Sequence, residues 1–135
     1  MQETSNIKAI AEAHLDRVWG LRDFSAIDDL FDSNVTLHNP FGNYYGTKAL
    51  HVVVRSWIGG LPDLVLTVQS MIAEGDRVVV QWHIKGTHTG MFQGILGTGK
   101  KVSYDGVSVY RIVDDKVLEY WVHLDVNHLV NQLNS

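Results

Sequence analysis

At Asp63 the hydrophobic period of this chain changes, and that change limits the available folds more than any composition figure does. Before it, apolar residues recur at helical spacing. Ile7, Ile10, Ala11, His14, Leu15, Val18 and Trp19 share one stripe, with Thr4 or Ser5 placed to cap it. Ile27, Leu30 and Phe31 predict a short second helix. Leu50, Val53, Val54, Trp57 and Ile58 predict a third, capped by Thr47 and stopped by Gly59-Gly60. The run Val52-Val53-Val54 leans towards strand, but the period outweighs it. Residues 35–39 read as a strand ended by Pro40, and residues 42–46 as a loop. After Asp63 the spacing becomes 2. Residues 64–72, 77–87, 101–113 and 117–125 predict four strands, with turns at Glu74-Gly75-Asp76 and Asp114-Asp115-Lys116 and a bulge at Gly106. Val126, Leu129, Val130 and Leu133 return to helical spacing. Helices first and strands afterwards predict an α+β domain spanning residues 1–135. A curved antiparallel sheet wrapped by three to four helices makes a cone around an internal apolar pocket, the kind of concavity small-molecule sites favour.

Composition narrows the partners. The 135 residues suit one domain, and 45% hydrophobic with 19% charged is ordinary for a soluble globular protein. A net charge of -4, with Lys100-Lys101 as the only basic pair, argues against nucleic acid. No apolar run is long enough to span a membrane, and the N-terminal residues show no secretory pattern. The absence of cysteine excludes disulfides and thiolate metal sites and fits a reducing compartment, so a cytoplasmic location is expected. None of the seven histidines stands in a metal-ligand pair, so no metal is expected. The segment 94–101 fits a phosphate-binding loop up to its eighth position, where Lys101 replaces the required hydroxyl. It also precedes a strand, so it reads as a rim loop.

The last strand carries the sharpest chemistry. Glu119, Trp121, His123 and Asp125 share one face, and Leu118, Tyr120, Val122 and Leu124 the other. An aromatic wall, a proton carrier and a carboxylate side by side fit a general base near neutrality. Asp125 also stands where the last helix needs an N-cap, and one carboxylate can serve both roles. His14 is the single polar member of an apolar stripe and therefore faces the core or a cavity. Asn39 points inward with Val35 and Leu37. Trp82 shares a face with Val78, Val80 and Ile84, which His88 continues if no bulge intervenes. Which face of that hairpin lines the pocket is open, and Gln81 and His83 fit a wet dimer interface equally well.

Taken together, these residues resemble the SnoaL-like polyketide cyclase or ester cyclase family of the nuclear transport factor 2-like superfamily. The carrying positions are Gly86-Thr87-His88-Thr89-Gly90, Gly94, Thr98-Gly99, Val102, the strand from Gly106 to Arg111, Asp115-Lys116, Glu119-x-Trp121, Asp125, Leu129 and Gln132-Leu133. Asn39-Pro40 and Gly46-x-x-Ala49-Leu50 look like the first strand and third helix. The resemblance implies a cofactor-free α+β cone, usually a homodimer through the outer sheet face. It also implies an acid–base aspartate at Asp125 that abstracts a proton beside a carbonyl and so drives ring closure. His123 would polarise the carbonyl or shuttle the proton, and Trp121 would wall a flat ring. Asn39, His14, His88, Trp82, Tyr104 and Phe41 complete the candidate substrate-binding set. The ketosteroid isomerase branch carries its base where this chain has Asn39, so that route is closed here.

The function expected is cofactor-free acid–base chemistry (cyclisation, isomerisation or dehydration) on a hydrophobic carbonyl-bearing molecule. The alternative is a non-catalytic module that binds a small molecule or dimerises. Hydrolysis by a carboxylate pair ranks last, because Glu119 would stand about 20 Å from Asp125 along an extended strand.

Overall fold

The computed structural model describes residues 4–134. Helix α1 (Thr4–His14) runs into a wider π-helical segment (Leu15–Gly20), and α2 (Ser25–Leu30) leads directly into β1 (Phe31–Asn39). Strand β2 (Gly42–Tyr45), α3 (Thr47–Gly60), β3 (Val65–Glu74), β4 (Arg77–Thr87), β5 (Lys101–Val113), β6 (Lys116–Leu124) and α4 (Val126–Asn134) follow. The six strands form one sheet in the order β2-β1-β6-β5-β4-β3. All neighbours are antiparallel except β1 and β6, which run parallel. This is the expected α+β architecture, a curved sheet with helices on its concave side.

Several local expectations change. Phe31 opens β1 instead of closing the second helix, and it is buried at 2% exposure. Residues 42–45 are a strand, not a loop: Asn39 pairs with Gly42 and Leu37 with Tyr44, which makes β2 the sheet edge. Thr47 is the first residue of α3, not its cap. Gly46 precedes it at φ 88°, a conformation that favours glycine. Thr4 and Ser5 likewise stand inside α1 and not at its cap. Gly106 makes no bulge, because β4 and β5 stay in register through Trp82↔Gly106. A Cβ there would overlap the Trp82 indole, so the glycine makes room for the ring. The register shifts fall instead between Phe31 and Thr36 in β1, between Val68 and Ser70 in β3, and between Arg111 and Ile112 opposite β6.

Alternation sorts the sheet's two faces. Val78, Val80, Trp82 and Ile84 of β4 and Val102, Tyr104, Ser108, Tyr110 and Ile112 of β5 are buried on the concave side. There they meet Ile7, Ala11, Leu15 and Val18, Leu50, Val54 and Trp57, and Leu129 and Leu133. Burying an apolar side chain of this size contributes roughly 1.5–3 kcal/mol, so this shared core fixes which face turns inward. Gln132 of α4 closes the free end of β5: its amide accepts from Ser103 N–H at 2.9 Å and donates to Ser103 C=O at 2.8 Å. Among the described residues no helix is long and apolar enough to cross a membrane.

Candidate ligand-binding cavity

The cone's interior is built from residues that each element turns inward. The π-helical segment contributes Leu15 and Trp19, α3 contributes Leu50, Val53, Val54 and Trp57, and β3 Leu66. The sheet adds Leu37, Asn39, Trp82, Tyr104, Ser108, Tyr120, Val122 and Leu124. Widening to the π-helical pattern is visible in the backbone bond from Leu21 N–H to Asp16 C=O at 2.9 Å. The Arg22 guanidinium then ties the segment down, donating to the carbonyls of Trp19 and, at 2.9 Å, Leu64. The space enclosed is about 40 Å³. That exceeds what one water needs, roughly 10–15 Å³, and falls well short of the ~150 Å³ cavity that admits benzene. Trp19, Val53 and Leu66 are only half-buried, so the lining is not sealed throughout.

Few polar groups face this space. The Tyr104 hydroxyl is buried and has no hydrogen-bond partner among the described residues. Burial raises its pKa well above the ordinary phenol value, so it remains a neutral donor. Asn39 accepts Phe41 N–H through Oδ1 at 2.9 Å, and its amide nitrogen makes no hydrogen bond among the described residues. Trp82 Nε1 donates to Ser108 Oγ at 2.8 Å, and Ser108 Oγ lies 3.4 Å from the Tyr120 hydroxyl. No carboxylate or imidazole among the described residues belongs to this lining. Among the described residues no three His, Asp or Glu side chains cluster in a way that would hold a metal ion.

The sequence candidates therefore divide. Asn39, Trp82 and Tyr104 line the cavity. Phe41 lines an adjoining hollow shared with Asn39, Val53 and Trp57, and packs against Trp57 and Phe92 at centroid distances of 5.9 and 6.2 Å. His14 is wholly buried behind the wall, with Nδ1 2.7 Å from the Tyr110 hydroxyl. Desolvation lowers its pKa to about 3, so it is neutral. His88 is equally buried but sits in the loop after β4, where Nδ1 meets Thr98 Oγ1 at 3.0 Å. It does not reach the cavity lining.

Trp121, His123 and Asp125 are corrected outright as to position. The alternation of β6 holds, but the polar face is convex: Trp121 pairs across the sheet with Val109, and His123 with Val107. Trp121 stacks on His38 at 5.2 Å with the Arg77 guanidinium 5.0 Å from its ring centroid, and His38 Nε2 meets Glu119 Oε2 at 2.7 Å. Both His123 and Asp125 are exposed. Asp125 follows the last residue of β6 and accepts His128 N–H at 3.0 Å, as an N-cap does. Burial of the apolar set outweighs placing a polar set inside, and that decides which face turns inward. His83 also lies outside, 2.8 Å from Asp105.

Sequence reasoning missed Ser108 and Tyr120. The available signal was the inward series Val102, Tyr104, Gly106, Ser108, Tyr110 and Ile112, in which a serine interrupts large side chains beside a glycine.

Comparison with known proteins agrees with this architecture. The family model for SnoaL-like polyketide cyclases matches residues 9–133. AclR from Streptomyces galilaeus shares 27% identity at a TM-score of 0.85, covering 98% of both chains. A SnoaL-like protein from Jannaschia sp. CCS1 shares 21% at a TM-score of 0.91, over 98% of this chain and 94% of that one. An LEH-like epoxide hydrolase from M. tuberculosis shares 16% at a TM-score of 0.76, over 98% and 92%. No curated protein matches the sequence.

Proposed function

This chain belongs to the SnoaL-like polyketide cyclase family, and on that footing we propose that its cavity binds a small, neutral, hydrophobic molecule through a carbonyl group. The observation that carries this reading is the Tyr104 hydroxyl, a buried donor on a cavity-lining residue that has no acceptor among the described residues. Leaving such a group unpaired costs roughly 1–3 kcal/mol, which a ligand carbonyl relieves. The Asn39 amide supplies a second donor, and Trp57, Trp82 and Tyr120 give flat apolar walls. About 40 Å³ is free, less than a single ring needs, so a ring-sized ligand enters only by displacing the half-buried Trp19, Val53 or Leu66.

The test is Tyr104→Phe titrated with cyclopentanone by calorimetry or tryptophan fluorescence. Affinity should fall about tenfold, the worth of one hydrogen bond that the free protein cannot otherwise make. An unchanged affinity overturns the reading. Catalysis is the second reading, and one observation favours it: Leu124 lines the cavity immediately before Asp125. In that reading Asp125 acts as base from the rim, with His123 assisting, in cyclisation, isomerisation or dehydration. Turnover by Asp125→Asn would then drop roughly 10²-fold or more.

A further inference from the structure

Beside the cavity lies an open hollow of about 110 Å³, set between α3 and the β1–β2 hairpin. Val52, Ser56 and Gln93, all exposed, border its mouth. Among the described residues, Asn39, Val53 and Trp57 line both this hollow and the cavity. These three form the partition between an outer space that meets solvent and the inner one that Tyr104 lines. Trp19 and Leu66 border the cavity but not the hollow.

The three are held differently. Asn39 is pinned by Phe41 N–H at 2.9 Å. Trp57 is buried, with the Phe92, Phe41 and Tyr104 rings at 4.7, 5.9 and 6.1 Å. Val53, one turn before Trp57 on α3, is half-buried and only packs against the core. A valine in a helix keeps one preferred rotamer, so it makes a small but firm obstacle. Size decides what that obstacle does. The cavity offers about 40 Å³ and the hollow about 110 Å³. Neither alone has the room of the ~150 Å³ cavity that admits benzene, and the two together reach it. No charged side chain among the described residues lines either space, which suits a neutral occupant.

We propose that Val53 is a specificity-determining residue: it gates the passage from hollow to cavity, and a ring-sized neutral ketone binds across both spaces. The inference rests on the ligand-binding reading above and deepens it, since it says where the ligand enters and what limits its size. Asn39 stands at the same boundary, with an amide nitrogen that makes no hydrogen bond among the described residues. A ketone crossing the partition therefore passes a hydrogen-bond donor before it reaches Tyr104.

The experiment is calorimetric titration of the full chain and of Val53→Ala with cyclopentanone and cycloheptanone. Alanine is the best helix former, so the variant keeps α3, and a denaturant melt checks that it does. Val53→Ala should bind cyclopentanone about fivefold tighter, the cost of one side chain held off its rotamer. The gain should be larger for cycloheptanone. Val53→Phe, which thickens the partition, should weaken both ketones, and it carries the test if the alanine variant is poorly folded. Unchanged affinities in the folded Val53 variants, or equal changes for both ring sizes in Val53→Ala, overturn the gate. The binding reading then stands if Tyr104→Phe still weakens cyclopentanone. No ketone binding by wild type or by any Val53 variant overturns both.

Discussion

Strand β6 presents two faces of opposite character, and the one that looked like chemistry is not the one that meets the cavity. Its convex face holds Glu119 and Trp121, tied to His38 of β1 and Arg77 of β4, and the exposed His123. Its concave face holds Tyr120, Val122 and Leu124, which line the cavity with few polar atoms. A polar row on a strand more often marks the solvated face, because burying it without partners is costly. A pocket for a hydrophobic ligand is made from the apolar face, and its few polar groups arrive from other strands. Here they are Asn39 of β1 and Tyr104 and Ser108 of β5.

Perturbing the concave face should have the larger effects. Gly106→Val places a branched side chain where the Trp82 indole sits. It should destabilise by about 3 kcal/mol, as overpacking does, and abolish cyclopentanone binding; denaturant melts and titration read both. His14 should make stability depend on pH. Its folded pKa, about 3, lies below the unfolded value of 6.5, so the unfolded chain binds the extra proton. The neutral form's advantage is therefore complete above pH 6.5 and is lost as pH falls from 6.5 towards 3. The limiting slope is roughly 1.4 kcal/mol per pH unit. Urea melts from pH 7 to 4 should show that slope in wild type and a flatter profile in His14→Phe.

The convex face should respond differently. The half-buried Val79, Val107, Val109 and Trp121, with Ile72 at 65% exposure, form an apolar surface on the face away from the helices of the described residues. If two copies associate there, Val109→Lys should shift sedimentation towards monomer and leave ketone affinity unchanged. The smallest effect is expected at Asp125→Asn. Asn caps about as well as Asp, so thermal melts should register a change under ~1 kcal/mol.

The fold was readable because the helix-to-strand change of period lies in the chain itself. Errors arose where tertiary context decides. The β2 edge strand, residues 42–45, exists because β1 offers a free edge, and no alternation announces it. Gly106 carries the same mark in sequence whether it bends a strand or admits an indole. For the site, Asn39 was legible as an inward-facing member of its strand, whereas Trp82 and Tyr104 were candidates whose strands' inward face stayed open. The choice between the faces of β6 was not legible either, because alternation gives two sets and only the packing of α1, α3 and α4 says which is covered. Ser108 carries a mark in the sequence, a small polar residue among large inward ones, but its contact with Trp82 is what gives that mark a meaning.

The central claim, that ligand recognition belongs to the concave face, is tested most directly by cyclopentanone titration of Tyr104→Phe and Asp125→Asn side by side. The account predicts an affinity about tenfold weaker for Tyr104→Phe and unchanged for Asp125→Asn. Weaker binding by Asp125→Asn with Tyr104→Phe unaffected would contradict it and return the site to the end of β6.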